Sequence, residues 1–185
     1  MEGIALAAGA AIIGLAGRLA HSPVSYVRSD VDGNRYLVRK ASDMQLAADT
    51  LARMHAKVEL LIAGLHSRYP ENTIVVNIRR RYTREALSEG AHNSGYTSYS
   101  VDKGRQIVMC LRDRAGDNSL HQENLLFFVL LHELAHLSTD EQGHTPGFWD
   151  NFRFLREEAT KMGLYEDIDY RSAPAEYCGI TIRST

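Results

Sequence analysis

The sequence has 185 residues, of which 44% are hydrophobic and 24% charged, a balance that excludes wholesale disorder and suits one compact domain. The formal net charge of −2 argues against a protein that coats nucleic acid over its whole surface. Two cysteines, Cys110 and Cys178, are too few for a disulfide scaffold or a Cys-x-x-Cys metal ribbon. We expect both cysteines to be buried thiols.

The chain begins with an uncharged, alanine- and glycine-rich run of 15 residues, at positions 3–17. A helix over residues 1–20 would be short for the ~30 Å hydrocarbon core of a bilayer. We predict that it is a hydrophobic N-terminal helix and a marginal membrane anchor, with Arg18 keeping the domain at 21–185 on the cytosolic side. The alternatives are a helix packed on the domain of a soluble cytosolic or nuclear protein, and a cleaved secretory signal.

Hydrophobic periodicity and turn signals divide the rest of the chain into strands and helices. Strands are predicted at 34–40, 73–78, 97–101 and 106–111, and the last two form a hairpin around an Asp-Lys-Gly turn. Helices are predicted from the Ser42 capping box to Leu65, from about Ser119 to Leu137, and from Thr145 to about Gly163. This irregular order favours an α+β fold, in which a small mixed sheet packs on a long helix and on a central helix.

The central helix contains an HExxH motif, His132-Glu133-Leu134-Ala135-His136. Four residues advance a helix by about 400°, so the two imidazoles leave the same face one turn apart and can bind one Zn²⁺. Glu133 is offset from His132 by about 100°, where its carboxylate can take a proton from the attacking water. The preceding residues, 125–131, are apolar around the whole helix, which indicates that the helix is buried. Because burying ionisable groups is costly, their presence in this helix indicates a function.

A catalytic zinc site needs a third protein ligand, and two candidates follow the motif. His144 lies eight residues after His136, beyond a turn in which Gly143 can adopt a positive φ. The rival is a carboxylate of the next helix, Glu157 or Glu158, at a spacing used by gluzincin proteases. The alternative role of both glutamates is a solvated helix face.

The HELAH segment, followed by His144 and then by Phe148-Trp149, resembles the WLM group of zinc metalloproteases, which is related to the SprT-like proteases. The resemblance covers residues 106–155 at the level of motifs. It implies a zincin-like fold around the HExxH helix and one zinc ion held by His132, His136 and His144. It also implies that Glu133 is the general base and that the substrate is a protein or peptide.

Peptidases of this fold commonly hold substrate as an added strand on a sheet edge. The short polar segment that could form such an edge, or an ordinary hairpin strand, consists of Thr97, Ser98, Tyr99 and Ser100. Tyr170 and Tyr177 follow the last helix, and the sequence does not decide which of them could stabilise an oxyanion near zinc.

A cluster of arginines, at positions 79, 80, 81 and 84, is the strongest concentration of basic residues. It could contact nucleic acid, anionic lipid or an acidic substrate, or it could be a solvated strand end. The sequence leaves nucleic-acid binding open.

Together these features predict a zinc-dependent endopeptidase. The competing hypotheses are a non-catalytic binding module stabilised by zinc, and a gluzincin-type peptidase with a glutamate as third ligand. The presence of Glu133 argues against the binding module, since a structural zinc site has no use for a general base.

Overall fold

A computed structural model describes residues 23–91, 98–101, 106–114 and 116–183. The predicted anchor over residues 1–20 lies outside these ranges, as do Thr97 and the predicted hairpin turn. None of the helices within the described ranges has the length and apolarity that a bilayer span requires. The membrane anchor therefore stays a prediction.

Four helices and three small sheets make up the described part of the chain, so the α+β prediction is confirmed. The helices are α1 (Met44–Arg68), α2 (Thr73–Arg81), α3 (Glu123–Ser138) and α4 (Pro146–Lys161). The strands are β1 (Val24–Arg28), β2 (Arg35–Arg39), β3 (Leu87–Glu89), β4 (Tyr99–Val101), β5 (Gln106–Met109), β6 (Ala175–Tyr177) and β7 (Ile180–Ile182).

The long helix α1 buries one apolar stripe, which includes Leu51 and Leu61, against the rest of the core. It begins later than the predicted capping box, because its N-cap is Asp43 and not Ser42. The Asp43 carboxylate makes no cap and instead pairs with Arg112, whose guanidinium is 2% exposed and also donates to Glu89 at 2.8 Å. Through these two ion pairs, the buried Arg112 joins the start of α1 to β3 of the central sheet.

The prediction of a strand at residues 73–78 is wrong, because this segment forms the first part of α2. Its β-branched residues favour a strand, but the Asn72 side chain accepts from the backbone N–H of Ile74 and caps a helix. Asn77 is buried and donates to the carbonyl of Ser138 at 3.0 Å, which ties α2 to α3. Tertiary packing thus overrides the local preference.

Arg79, Arg80 and Arg81 consequently lie in the last turn of α2, where positive charge is favourable, and not at a strand end. Arg84 follows the helix in a short 3-10 turn. Arg81 donates to the carbonyl of Leu137 at 2.6 Å and pairs with Asp140, so it supports the loop that follows α3. Arg79 contacts His66, and Arg84 pairs with Glu85 at 2.8 Å. Nucleic-acid binding by this cluster stays an untested alternative.

The central sheet has the strand order β3-β5-β4, with β3 parallel and β4 antiparallel to β5. The predicted antiparallel pairing of the segments at 97–101 and 106–111 is therefore confirmed for the described residues, with Tyr99 opposite Val108. Two further hairpins flank this sheet, β1–β2 before α1 and β6–β7 near the carboxyl end. The arrangement leaves β4 at a sheet edge.

Helix α3 starts four residues later than the predicted helix, because Leu120 pairs with Arg112 in an isolated β-bridge. From Leu126 onwards the apolar side chains of α3 are buried on all sides, as expected for a central helix. Helix α4 agrees with its prediction: Thr145 caps it by accepting from Phe148 N–H at 3.3 Å, and Gly163 ends it with φ +68°.

The expectation of two buried thiols is wrong, since Cys110 and Cys178 form a disulfide. Both residues are buried, at 6% and 4% exposure. The bond joins the end of β5 to the turn of the β6–β7 hairpin across 68 residues of sequence. Because the two cysteines are so far apart in the chain, sequence spacing alone carries no signal for the pairing.

Replacing both cysteines by alanine should lower the free energy of unfolding by about 4 kcal/mol, because the disulfide restricts the unfolded chain over this long loop. Urea unfolding of the oxidised protein and of the double variant measures the difference. Reductant should shift the wild-type midpoint towards that of the double variant and leave the variant unchanged. Coincident midpoints for oxidised and reduced wild type would contradict this expectation.

Candidate active site

Helix α3 carries both histidines and the glutamate of the HExxH motif on its last turns. The imidazoles of His132 and His136 have ring centroids 5.0 Å apart, as the helical spacing predicts. Glu133 lies beside them, and its side chain is 4% exposed. The backbone of a buried helix therefore positions three polar side chains close together.

The loop after α3 brings His144 back to these histidines. Gly143 has φ +80°, a left-handed conformation that favours glycine and turns the chain towards α3. The Nε2 atoms of His144 and His132 are 3.0 Å apart, and one ligand nitrogen from each of the three histidines lies within 4.8 Å of the other two. Tetrahedral zinc with Zn–N bonds of about 2.0–2.1 Å needs nitrogens about 3.3 Å apart, so the three imidazoles fit a zinc ion after small side-chain adjustments.

The two glutamates considered as alternative third ligands, Glu157 and Glu158, lie outside the histidine cluster. Glu158 is 2% exposed, and its carboxylate pairs with Arg68 at 2.7 Å and with Lys161 at 2.8 Å, which leaves it engaged away from the histidines. The expectation of a solvated helix face is thus wrong for Glu158, although Glu157 is exposed. Among the described residues, neither glutamate belongs to the histidine cluster.

Two aromatic side chains of α4 pack against the three imidazoles. Phe148 is fully buried, and its ring centroid lies 4.3 Å from that of His136, 4.8 Å from that of His132 and 4.7 Å from that of His144. Trp149 stacks on His144 with ring centroids 5.5 Å apart. The first turn of α4 therefore holds His144 by aromatic packing, as the Phe-Trp pair after the histidine suggests.

Burial also sets the protonation of the site. Desolvation, followed by repulsion from His136 and His144, lowers the pKa of His132 to about 3. Its imidazole is therefore neutral at physiological pH, which is the form that coordinates a metal ion. The donor set of three histidines suits zinc.

Burial raises the pKa of Glu133 to about 7, while a hydrogen bond from Ser100 on β4 acts in the opposite direction. The Oε2 atom of Glu133 is buried and has no hydrogen-bond partner among the described protein groups. A carboxylate of this kind can exchange a proton near neutral pH.

These residues open onto a cleft of about 820 Å³. One wall is β4 with the residue before it; this wall contributes Ser98, Tyr99 and Ser100, three of the four residues predicted to bind substrate. The floor is α3 with the histidine cluster, and the remaining walls are α4 and the β6–β7 hairpin. Sequence reasoning missed the hairpin wall, because its two three-residue strands are too short to give a pattern.

The structure separates the two candidate tyrosines. Tyr177 lines the cleft, and its hydroxyl lies 2.6 Å from the Oγ atom of Ser98. Tyr170 is instead packed against Phe128, with ring centroids 4.7 Å apart, and it does not line the cleft. Burial raises the pKa of Tyr177, so its hydroxyl stays protonated.

Comparison with known proteins gives a long match to R325, an uncharacterized protein of Acanthamoeba polyphaga mimivirus. The two are 36% identical over 165 residues, which cover 87% of this chain and 83% of R325. This chain belongs to the R325 family. The family relationship carries no assigned activity with it.

A second relative is the uncharacterized protein 136R of Invertebrate iridescent virus 6. It is 38% identical over 85 residues, or 45% of this chain and 47% of that protein. No family model matches the sequence.

Among solved structures, the fold is similar to that of Wss1 from Saccharomyces cerevisiae. The TM-score is 0.53 at 16% identity, and the match covers 68% of this chain and 87% of that one. A mutant of Wss1 gives a similar result, with a TM-score of 0.52 at 17% identity. At this identity the likeness establishes the shared fold alone.

Proposed function

We propose that this member of the R325 family is a zinc-dependent endopeptidase. The observation that carries the proposal is the convergence of His132, His136 and His144 beside the buried carboxyl group of Glu133, at the floor of an open cleft. The fold shared with Wss1, a WLM-domain zinc metalloprotease, supports the same class of enzyme. A purely structural zinc site would be closed by protein ligands on every side.

The three histidines would hold the zinc ion through neutral imidazole nitrogens. When bound, zinc supplies Lewis acidity, which lowers the pKa of water and stabilises negative charge on a carbonyl oxygen. Glu133 takes a proton from water as the water oxygen bonds to the scissile carbonyl carbon. The same carboxyl group then gives that proton to the amide nitrogen as the C–N bond breaks, so the proton count balances.

Strand β4 would orient the substrate. It lies at the edge of the central sheet and forms a wall of the cleft, so an extended peptide can add to it as a further antiparallel strand. Ser100 on this strand also hydrogen-bonds Glu133, which couples the position of the substrate strand to that of the general base.

Tyr177 is the better of the two tyrosines for a role at the developing oxyanion, since it lines the cleft and Tyr170 does not. The hydrogen bond with Ser98 holds this hydroxyl next to the proposed substrate strand.

Metal removal tests the proposal directly. The protein of 185 residues should contain about one equivalent of zinc and cleave a chemically unfolded reporter protein, because unfolded chains can enter the cleft in an extended form. A chelator should abolish cleavage, and zinc should restore it. A protein that binds zinc stoichiometrically but never cleaves unfolded chains would support the non-catalytic binding module instead.

A further inference from the structure

The disulfide is adjacent in sequence to Tyr177, the tyrosine that lines the cleft. The hydroxyl of Tyr177 is hydrogen-bonded to Oγ of Ser98 at 2.6 Å, and the same Oγ accepts from the backbone N–H of Cys110 at 3.1 Å. Cys110 is bonded through its sulfur to Cys178, the residue that follows Tyr177. One disulfide, one peptide bond and two hydrogen bonds therefore join these four residues in a closed cycle.

This four-residue cycle connects two walls of the cleft. Ser98 precedes β4 and Tyr177 ends β6, and both line the cleft, whereas neither cysteine is among the described lining residues. The disulfide thus holds the two walls from outside the cleft. Burial raises the pKa of Tyr177, and the negative charge of Glu133 raises it further, so the tyrosine hydroxyl lies within electrostatic reach of the proposed general base.

The backbone of Cys178 has a conformation that cysteine seldom adopts. Cys178 has φ +51° and Gly179 has φ +87°, and these two residues form the turn between β6 and β7, as in a type I′ turn. Asparagine and glycine are preferred at the first of these positions, and other residues with a Cβ atom are disfavoured there. The cysteine at position 178 is therefore explained by its sulfur and not by the turn.

We propose that the disulfide positions Tyr177 for the reaction, and that its reduction by a dithiol lowers the rate while the zinc site stays in place. The inference rests on the proposed endopeptidase function and adds redox control to it. The proposed ligands and Glu133 lie on α3 and the loop that follows it, and neither cysteine belongs to these segments. Once the disulfide is reduced, noncovalent contacts alone hold Tyr177 against Ser98.

Reduction proceeds by thiol–disulfide exchange. A thiolate of the dithiol attacks one sulfur, the S–S bond breaks, and the other cysteine leaves as a thiolate that takes up a proton. The second thiol of the reductant then displaces the first cysteine, so the dithiol loses two electrons and two protons, and the cysteine pair gains them. The Nε2 atom of His121 lies 3.4 Å from Sγ of Cys178, where an imidazole N–H stabilises a departing thiolate.

Three variants separate positioning from stability. Cys110→Ala/Cys178→Asn has no disulfide, but its turn becomes Asn-Gly, the sequence that type I′ turns prefer. Tyr177→Phe removes the hydroxyl that the disulfide is proposed to position. Tyr165→Phe is the matched control, because Tyr165 is also buried but does not line the cleft.

Dithiothreitol should lower kcat of the zinc-loaded wild type about tenfold, because a displaced catalytic group loses much of its effect. The double cysteine variant should have this lower rate with or without dithiothreitol, which also controls for metal removal by the reductant. Tyr177→Phe should already be slow, and reduction should change its rate by less than about twofold. Tyr165→Phe should respond to reduction as the wild type does.

Hydrogen exchange of the metal-free protein tests the four-residue cycle without turnover. Reduction should speed exchange in the β6–β7 hairpin and at the N–H of Cys110 about tenfold or more, while α3 stays protected. Loss of protection in α3 as well would show that the disulfide only stabilises the fold, and unchanged exchange in the hairpin would also overturn the proposal.

Two kinetic outcomes would contradict it too: an equal loss of rate on reduction in the wild type and Tyr177→Phe, or the oxidised wild-type rate in the double cysteine variant. Faster exchange of the hairpin on reduction, in a protein that cleaves no substrate, would uphold the positioning of Tyr177 by the disulfide and reject the endopeptidase.

Discussion

Glu133→Gln should retain about one equivalent of zinc while peptide hydrolysis falls by about 10²-fold or more, because the three imidazoles remain and the proton acceptor is lost. The amide of glutamine has nearly the same shape as the carboxyl group and fits the same buried site. Zinc content by elemental analysis and initial rates on an unfolded protein substrate measure the two effects separately.

Glu157→Gln is the matched control for this variant. It makes the same chemical change on the exposed face of α4, away from the histidine cluster, and should leave both zinc content and rate unchanged. Hydrolysis by Glu133→Gln within twofold of the wild-type rate would remove Glu133 from the mechanism. Loss of zinc together with activity would point to a structural role for the carboxyl group.

His144→Ala should weaken zinc binding by about 10²- to 10³-fold, since one of three protein ligands contributes a large share of the binding free energy. Competition with a chromophoric chelator measures the affinity. His66→Ala provides a histidine control outside the cleft, where the side chain contacts Arg79.

The glutamate alternative makes the opposite prediction. Glu157→Ala should leave the zinc affinity unchanged, because this residue is exposed and outside the cluster. Glu158→Ala should lower stability, since it leaves Arg68 without its buried partner, but the folded fraction should bind zinc as tightly as the wild type. Tight zinc binding by His144→Ala, with weak binding by a glutamate variant, would indicate a gluzincin-type site.

The histidine cluster was predictable because its physical determinants are local in sequence. The i, i+4 spacing of His132 and His136 sets their common face, and Gly143 supplies the turn that returns the chain. Phe148, four residues after His144, supplies the aromatic ring that packs against the imidazoles. Each of these signals is contained in a segment of less than twenty residues.

The errors arise where distant parts of the chain decide the outcome. Residues 73–78 have a strand-like composition, yet they form a helix. In this helix Asn77 donates a buried hydrogen bond to the carbonyl of Ser138 on α3. The Cys110–Cys178 disulfide links residues 68 positions apart. The burial of Glu158 likewise depends on Arg68, which lies on another helix. Periodicity within a short window carries no information about such partners.

Trp149 is the single tryptophan of the sequence, and its indole stacks on the imidazole of His144 with an interplanar angle of 29°. Its fluorescence therefore comes from one place in the molecule, next to the third proposed ligand. Any change in the charge or orientation of His144 alters the surroundings of that one fluorophore. We therefore expect zinc binding at the proposed site to change the intrinsic emission, which would follow it in real time without a label and in the absence of any substrate.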